Sequence, residues 1–321
     1  MTVLQAIRGA AGRVALRKRM MVAYWFFHTL MAAFVAVPLA GVAVSNLGHS
    51  RYGAELARGF DLSWLVEVYF YLQGGPLAAI LPMVLLAVFL LFLGSIFLSG
   101  GAVKMLVYDG PDYSPRMFYE GCGRYFWRFL RLTLYSMIFY GTALILQRIL
   151  RKLADQAWGE GMEDHQLTIA GWVVSGITIV LFALVSTAMD YAKVRLVTDD
   201  SRKSLRAAFG SMRLVLTHLG KTMGVWLVLM VFLAVFAGLY LPLSNWLHGG
   251  GAGKILTLIL VQQLYVFGRV WLRMMAWGAA VELDPFVRPK PLPPLEPVFV
   301  PVAPGPEPPE FLAGATAEPE V

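Results

Sequence analysis

From Met223 to Leu243 the chain carries no charged residue, while the stretch before it, Asp190 to Lys221, holds seven of the chain's 27 lysines and arginines. At 1.5 Å per residue the apolar run is long enough to cross a hydrocarbon core of about 30 Å. No water there can satisfy backbone N–H and C=O groups, so the run must be helical. The basic stretch stays outside, at the interface. This coupling of a basic amphipathic segment to a spanning segment limits the fold more than any other feature, because the rest of the chain repeats it.

Composition agrees with that reading. Only 15% of residues are charged and 58% are hydrophobic, against about 25% charged in an average soluble domain. The expected fold class is an all-α, polytopic transmembrane helical bundle. Spans fall at about 21–44, 76–101, 125–146, 167–189, 223–244 and 254–281. The first begins after a basic segment, as a signal peptide would, but its apolar run far exceeds an h-region of about 7–15 residues. It reads as an uncleaved helix. Leu62 to Leu72, interrupted by Glu67, is too short to span and is expected at the interface.

The net charge of +7 does not point to nucleic acid, because the cations cluster in alternate connections: 21 lysines and arginines fall on one side of the six spans and 6 on the other. The positive-inside rule then places both termini in the cytoplasm. The single cysteine, Cys122, excludes an internal disulfide and falls on the cytoplasmic side, where thiols stay reduced.

An internal repeat is legible. Gly101 to Asp109 (GAVKMLVYD) lies beside Tyr191 to Asp199 (YAKVRLVTD), each leaving a span and feeding an amphipathic segment led by a serine. Ser114 and Pro115 match an N-cap followed by proline in the first helical position. Met117, Phe118, Cys122 and Tyr125 form one apolar stripe, Leu205, Phe209, Met212 and Leu216 the other, and Leu4, Ile7, Ala11 and Val14 a third in the N-terminal segment. Three parallel units follow, each an inner-face helix, a span, an outer loop and a returning span. Gln147 to Gln166 reads as a mixed-charge loop. From Pro285 to Val321 the chain holds 12 of its 18 prolines and is expected to be a disordered cytoplasmic tail. Arg288, Pro291 and Pro294 give it a spacing that suits proline-binding grooves.

Motifs for catalysis are missing. The five histidines stand far apart, and Gly249 to Lys254 lacks both the first glycine and the Ser or Thr of a phosphate loop. No cofactor or metal is implied. Polar groups at membrane depth are costly and therefore point to sites. Asp190 ends the fourth span, and Arg269 and Arg273 share a face of the sixth; these three are candidates for helix pairing or for holding a lipid headgroup. His28, Gln262 and Gln263 are the candidates for a midplane cavity.

The runs DYAKVRLV from Asp190, HLGKT from His218 and GCGRYFWRFLR from Gly121, with the serine-led helix from Ser201, give a layout that resembles bacterial six-helix membrane proteins related to the membrane domain of glycerophosphodiester phosphodiesterases. The resemblance covers about residues 1–284, and the phosphodiesterase domain itself is absent. It implies a bacterial inner-membrane protein with an accessory or lipid-related role and carries over no catalytic residue. The leading expectation is a non-enzymatic accessory or scaffold protein that contacts anionic lipid and, through its tail, a cytoplasmic partner. A small-solute or lipid transporter is the alternative.

Overall fold

The computed structural model describes residues 1–47, 76–110, 113–158, 164–247 and 251–287. The interfacial run, most of the outer connections and the tail beyond Val287 lie outside those residues. Eight helices are described: α1 Val3–Leu16, α2 Lys18–Leu47, α3 Pro76–Val107, α4 Pro115–Trp158, α5 Asp164–Thr198, α6 Ser204–Thr217, α7 Leu219–Leu247 and α8 Ala252–Val287. Six of them, all but α1 and α6, are long and apolar enough to cross a membrane.

The helices outrun the expected spans. Residues 147–158, read as loop, continue α4, and the basic segment from Pro115 joins the third span without a break. Asp190 lies well inside α5, which runs to Thr198. Pro285 is the last turn of α8 rather than the start of the tail. A helix satisfies its own backbone, so nothing obliges it to stop where the apolar residues do.

The order of contacts is that of a closed ring. The returning helices α3, α5 and α8 touch one another and form an inner triangle, while α2 lies against α3 and α8, α4 against α3 and α5, and α7 against α5 and α8. Each basic segment rests on the returning helix of the unit before it: the start of α4 on α3, α6 on α5, and α1 on α8, which closes the ring.

Three glycines fix the register of the repeat. The side chain of Lys104 lies over Gly121, that of Arg195 over Gly210, and that of Glu282 over Gly9, each too close to admit a Cβ without a shift. Lys104, Arg195 and Glu282 therefore hold corresponding places. This moves the expected alignment by one residue, so that Asp109 matches Asp200 rather than Asp199. Both matched aspartates accept an ion pair from their own unit: Arg13 Nη1 reaches Asp109 at 2.9 Å, and Arg128 Nη1 reaches Asp200 at 2.6 Å. Arg13 also binds Glu282. Burial lowers its affinity for the proton, but Glu282 and Asp109 more than reverse this and hold the guanidinium above its ordinary pKa.

Equal spacing from the three glycines leads to Arg17, Phe129 and His218. The helix breaks at Arg17 (φ −116°, ψ 39°) and at His218 (φ −125°, ψ 39°) in nearly the same way, separating α1 from α2 and α6 from α7. At Phe129, fully buried, α4 runs on. The middle unit thus fuses what its two neighbours keep apart.

The expected stripe of α6 is on the wrong face. Leu205, Phe209 and Leu216 are exposed, and the helix buries Ser204, Ala207, Ala208, Ser211, Leu214 and Val215. In α1 only Leu4 of the expected stripe is exposed: Val14 is buried, and Ile7 and Ala11 pack against the core beside the buried Ala6 and Ala10. Lipid is as apolar as leucine, so bulky residues gain little by facing protein, whereas small ones let backbones approach. The α4 stripe holds, with Phe118 and Cys122 set against Gly101.

Candidate functional site

Asp190 is the polar centre of the bundle. It is held on α5 with 9% of its side chain exposed, and Arg273 of α8 approaches it with both terminal nitrogens, Nη1 to Oδ2 at 3.0 Å and Nη2 to Oδ1 at 2.9 Å. Trp277, one turn on and fully buried, donates its indole N–H to Oδ1 at 2.9 Å. The guanidinium and the Lys193 ammonium both lie over the Trp277 ring, at 5.1 and 5.4 Å from its centroid. Two-point contact of this kind is the strong form of an arginine–carboxylate pair. Asp190 and Arg273 therefore join α5 to α8, and each carboxylate oxygen has a partner on α8.

Arg269, one turn before Arg273, is exposed and makes no ion pair or hydrogen bond among the described residues. It lines a partly open cavity of about 420 Å³ between α2, α5, α7 and α8, within the range of about 300–1,000 Å³ usual for small-molecule sites. The polar lining includes Tyr24 and His28 of α2, Ser186, Thr187 and Asp190 of α5, Thr222 of α7, and Arg269 and Arg273 of α8. Past Thr222 and Trp226, the α7 wall is apolar: Val225, Leu229, Met230 and Leu233. One side suits a charged or polar group and the other a hydrocarbon chain.

Each polar member is fixed differently. Tyr24 gives its hydroxyl proton to the Ser95 carbonyl at 3.3 Å. His28 stacks on Tyr24 with centroids 4.8 Å apart, and its Nδ1 lies 2.9 Å from the Tyr24 carbonyl oxygen. A carbonyl only accepts, so Nδ1 carries a proton, and in the neutral ring Nε2 is the acceptor. Thr187, 8% exposed, has a hydroxyl with no hydrogen-bond partner among the described residues. Buried hydroxyls are almost always paired.

The register of the repeat explains why the cavity lies in this corner. Tyr140 follows Gly121 as Leu229 follows Gly210, and Phe182 precedes Arg195 as Arg269 precedes Glu282. In the α4 corner Tyr140 and Phe182 pack edge to face across the equivalent place. In the α7 corner Leu229 and Arg269 hold those positions, and both line the open cavity.

The other two polar candidates lie elsewhere. Gln263 Oε1 accepts from Trp25 Nε1 at 3.1 Å and from Thr29 Oγ1 at 3.0 Å, so it ties α8 to α2. Gln262 is exposed on the outer side of α8. Only His28 of that trio lines the cavity. Thr187 was not among the expected residues; its place beside Ser186 and near Asp190, in an otherwise apolar run, is the signal that marks it. Among the described residues no three histidine, cysteine or acidic side chains converge as metal ligands would.

The fold and site together define an integral membrane protein of helical-bundle class with an amphiphilic cavity inside it. No protein family, curated protein or solved structure matches the chain.

Proposed function

We propose that this protein is a non-enzymatic accessory protein of a bacterial inner membrane that holds an anionic lipid in the cavity between α2, α5, α7 and α8. One observation carries the reading: Arg269 has no partner among the described residues, and it borders a space that is polar on one side and mostly apolar on the other. Asp190 already neutralises Arg273, so Arg269 supplies the charge that an anionic headgroup would meet. The basic segments add attraction, since each cation near an anionic leaflet is worth about 1 kcal/mol.

The imbalance of 21 cations to 6 supports a cytoplasmic position for both termini and for α1 and α6. The proline-rich tail is then a contact for a cytoplasmic partner. The kinship with the membrane domain of glycerophosphodiester phosphodiesterases belongs to the same proposal and agrees with a role at lipid.

The test is mass spectrometry of the protein in native nanodiscs. Wild type is expected to retain an anionic lipid that Arg269→Gln loses, with melting temperature unchanged. A bound water-soluble solute, together with solute flux in liposomes that Arg269→Gln abolishes, would replace the accessory reading with transport.

A further inference from the structure

We infer that the cavity selects a phosphodiester headgroup that carries free hydroxyls, of the phosphoglycerol type, over a bare phosphate or an amine-bearing headgroup. The inference rests on the lipid reading above and adds to it the chemistry of the headgroup.

An ammonium group needs an anionic or strongly accepting partner. Asp190 is the carboxylate in the lining, and three donors of α8 already hold it: Arg273 Nη1 on Oδ2, and Arg273 Nη2 and the Trp277 indole on Oδ1. A headgroup amine would also meet Arg269 and Arg273 on the same wall. The site is built against a second cation.

A bare phosphate fails for the opposite reason. It pairs with Arg269 but, once ionised to the dianion, offers no donor, and the cavity presents an acceptor. His28 Nε2 has its lone pair free because Nδ1 is committed to the Tyr24 carbonyl. Thr187 lines the cavity, and its hydroxyl, without a partner among the described residues, can both donate and accept once the side chain turns toward a ligand. Leaving such groups unmatched around a bound ligand costs affinity. A headgroup with a phosphodiester for Arg269 and hydroxyls for His28 and Thr187 satisfies all three, while Val225, Leu229, Met230 and Leu233 receive the start of an acyl chain.

The experiment uses the full chain in phosphatidylcholine nanodiscs doped equally with phosphatidylglycerol, phosphatidic acid and phosphatidylserine of matched acyl chains, read by native mass spectrometry. Wild type is expected to retain phosphatidylglycerol several-fold over the other two. Thr187→Val and His28→Phe should each reduce the preference for phosphatidylglycerol over phosphatidic acid by about three- to ten-fold, the effect of one neutral hydrogen bond, without changing retention of phosphatidic acid. Arg269→Gln should lower all three. Equal retention of phosphatidylglycerol and phosphatidic acid by the wild type overturns this inference and leaves the lipid reading standing. No retention above phosphatidylcholine overturns both. Displacement of the bound lipid by millimolar glycerol 3-phosphate, with that phosphate retained in its place, overturns the lipid source while keeping the hydroxyl-bearing phosphate chemistry. Melting temperatures of the variants separate lost selectivity from lost fold.

Discussion

Tyr140 of α4 meets Phe182 of α5 edge-on, with ring centroids 5.3 Å apart, in the position that Leu229 and Arg269 hold one corner further round the bundle. The two corners share a backbone plan and differ in what fills it. Transferring the aromatic pair, as Leu229→Tyr with Arg269→Phe, is therefore expected to close the cavity while the bundle stays folded. Differential scanning fluorimetry should show a melting temperature at or above wild type, and nanodisc mass spectrometry should show no retained anionic lipid. Retention at wild-type level would mean that the lipid binds elsewhere.

The Asp190–Arg273 pair predicts an asymmetry. Removing one partner of a buried ion pair costs about 3–5 kcal/mol when the other charge is left uncompensated. Asp190 is 9% exposed and Arg273 42%, and Arg273 borders the cavity and keeps the Trp277 ring, so an orphaned Arg273 can swing into the cavity while an orphaned Asp190 stays buried. Arg273→Gln should lower the melting temperature more than Asp190→Asn does, and Asp190→Asn should cost less than that range. An equal drop for the two would show that the contact with Trp277, rather than burial, sets the cost.

These two residues also mark how far the sequence could be read. Charges inside long apolar helices are rare enough that Asp190, Arg269 and Arg273 stood out at once, and the six helices followed from run length alone. The face of α6 did not. Leu205, Phe209 and Leu216 look like a core stripe by the rules of soluble helices, yet in a bundle surrounded by lipid Ala207, Ala208 and Ser211 are the buried ones. Gln262 and Gln263 differ only in which side of α8 they occupy, which no adjacent pair reveals. The cavity was hidden for a further reason: it arises from a size difference between equivalent residues, and the equivalence needs the register that Gly9, Gly121 and Gly210 provide.

Asp200 joins α5 to the start of α6 with φ at +43°, a left-handed conformation that aspartate and asparagine tolerate better than most side chains. Hydrogen bonds from Arg128, then from Arg124, hold its carboxyl below the usual aspartate pKa. A depressed pKa contributes stability that is present above the unfolded value of about 3.9 and is lost as pH falls through the folded value. The melting-temperature gap between wild type and Asp200→Asn should accordingly be constant from neutral pH down to about 5 and vanish in stronger acid. A gap that opens towards alkaline pH would contradict this assignment.

Close approach at the α3–α4 contact makes a further prediction. A Cβ on Gly101 would meet the Phe118 carbonyl oxygen at 2.5 Å and Cys122 Sγ at 2.6 Å, while one on Gly123 has nothing within 4 Å. Gly101→Ala should be clearly destabilising. Gly123→Ala should be neutral or stabilising by up to about 1 kcal/mol, since alanine favours a helix more than glycine. Thermal unfolding of the two variants in the same detergent decides it, and a tolerated Gly101→Ala would show that α3 and α4 can separate freely.

The ring is completed by α1 resting on α8, with Ala10 against Gly278. Ribosomes make the first helix long before its partner: at about 5–20 residues per second, on the order of ten to fifty seconds separate them. Through that interval the small-residue face of α1 has no protein to cover it. Assembly in the membrane can therefore finish only after the last span has been released: Arg13 and Arg17 can already hold α1 to the end of α3, while its Ala6 and Ala10 face waits for α8.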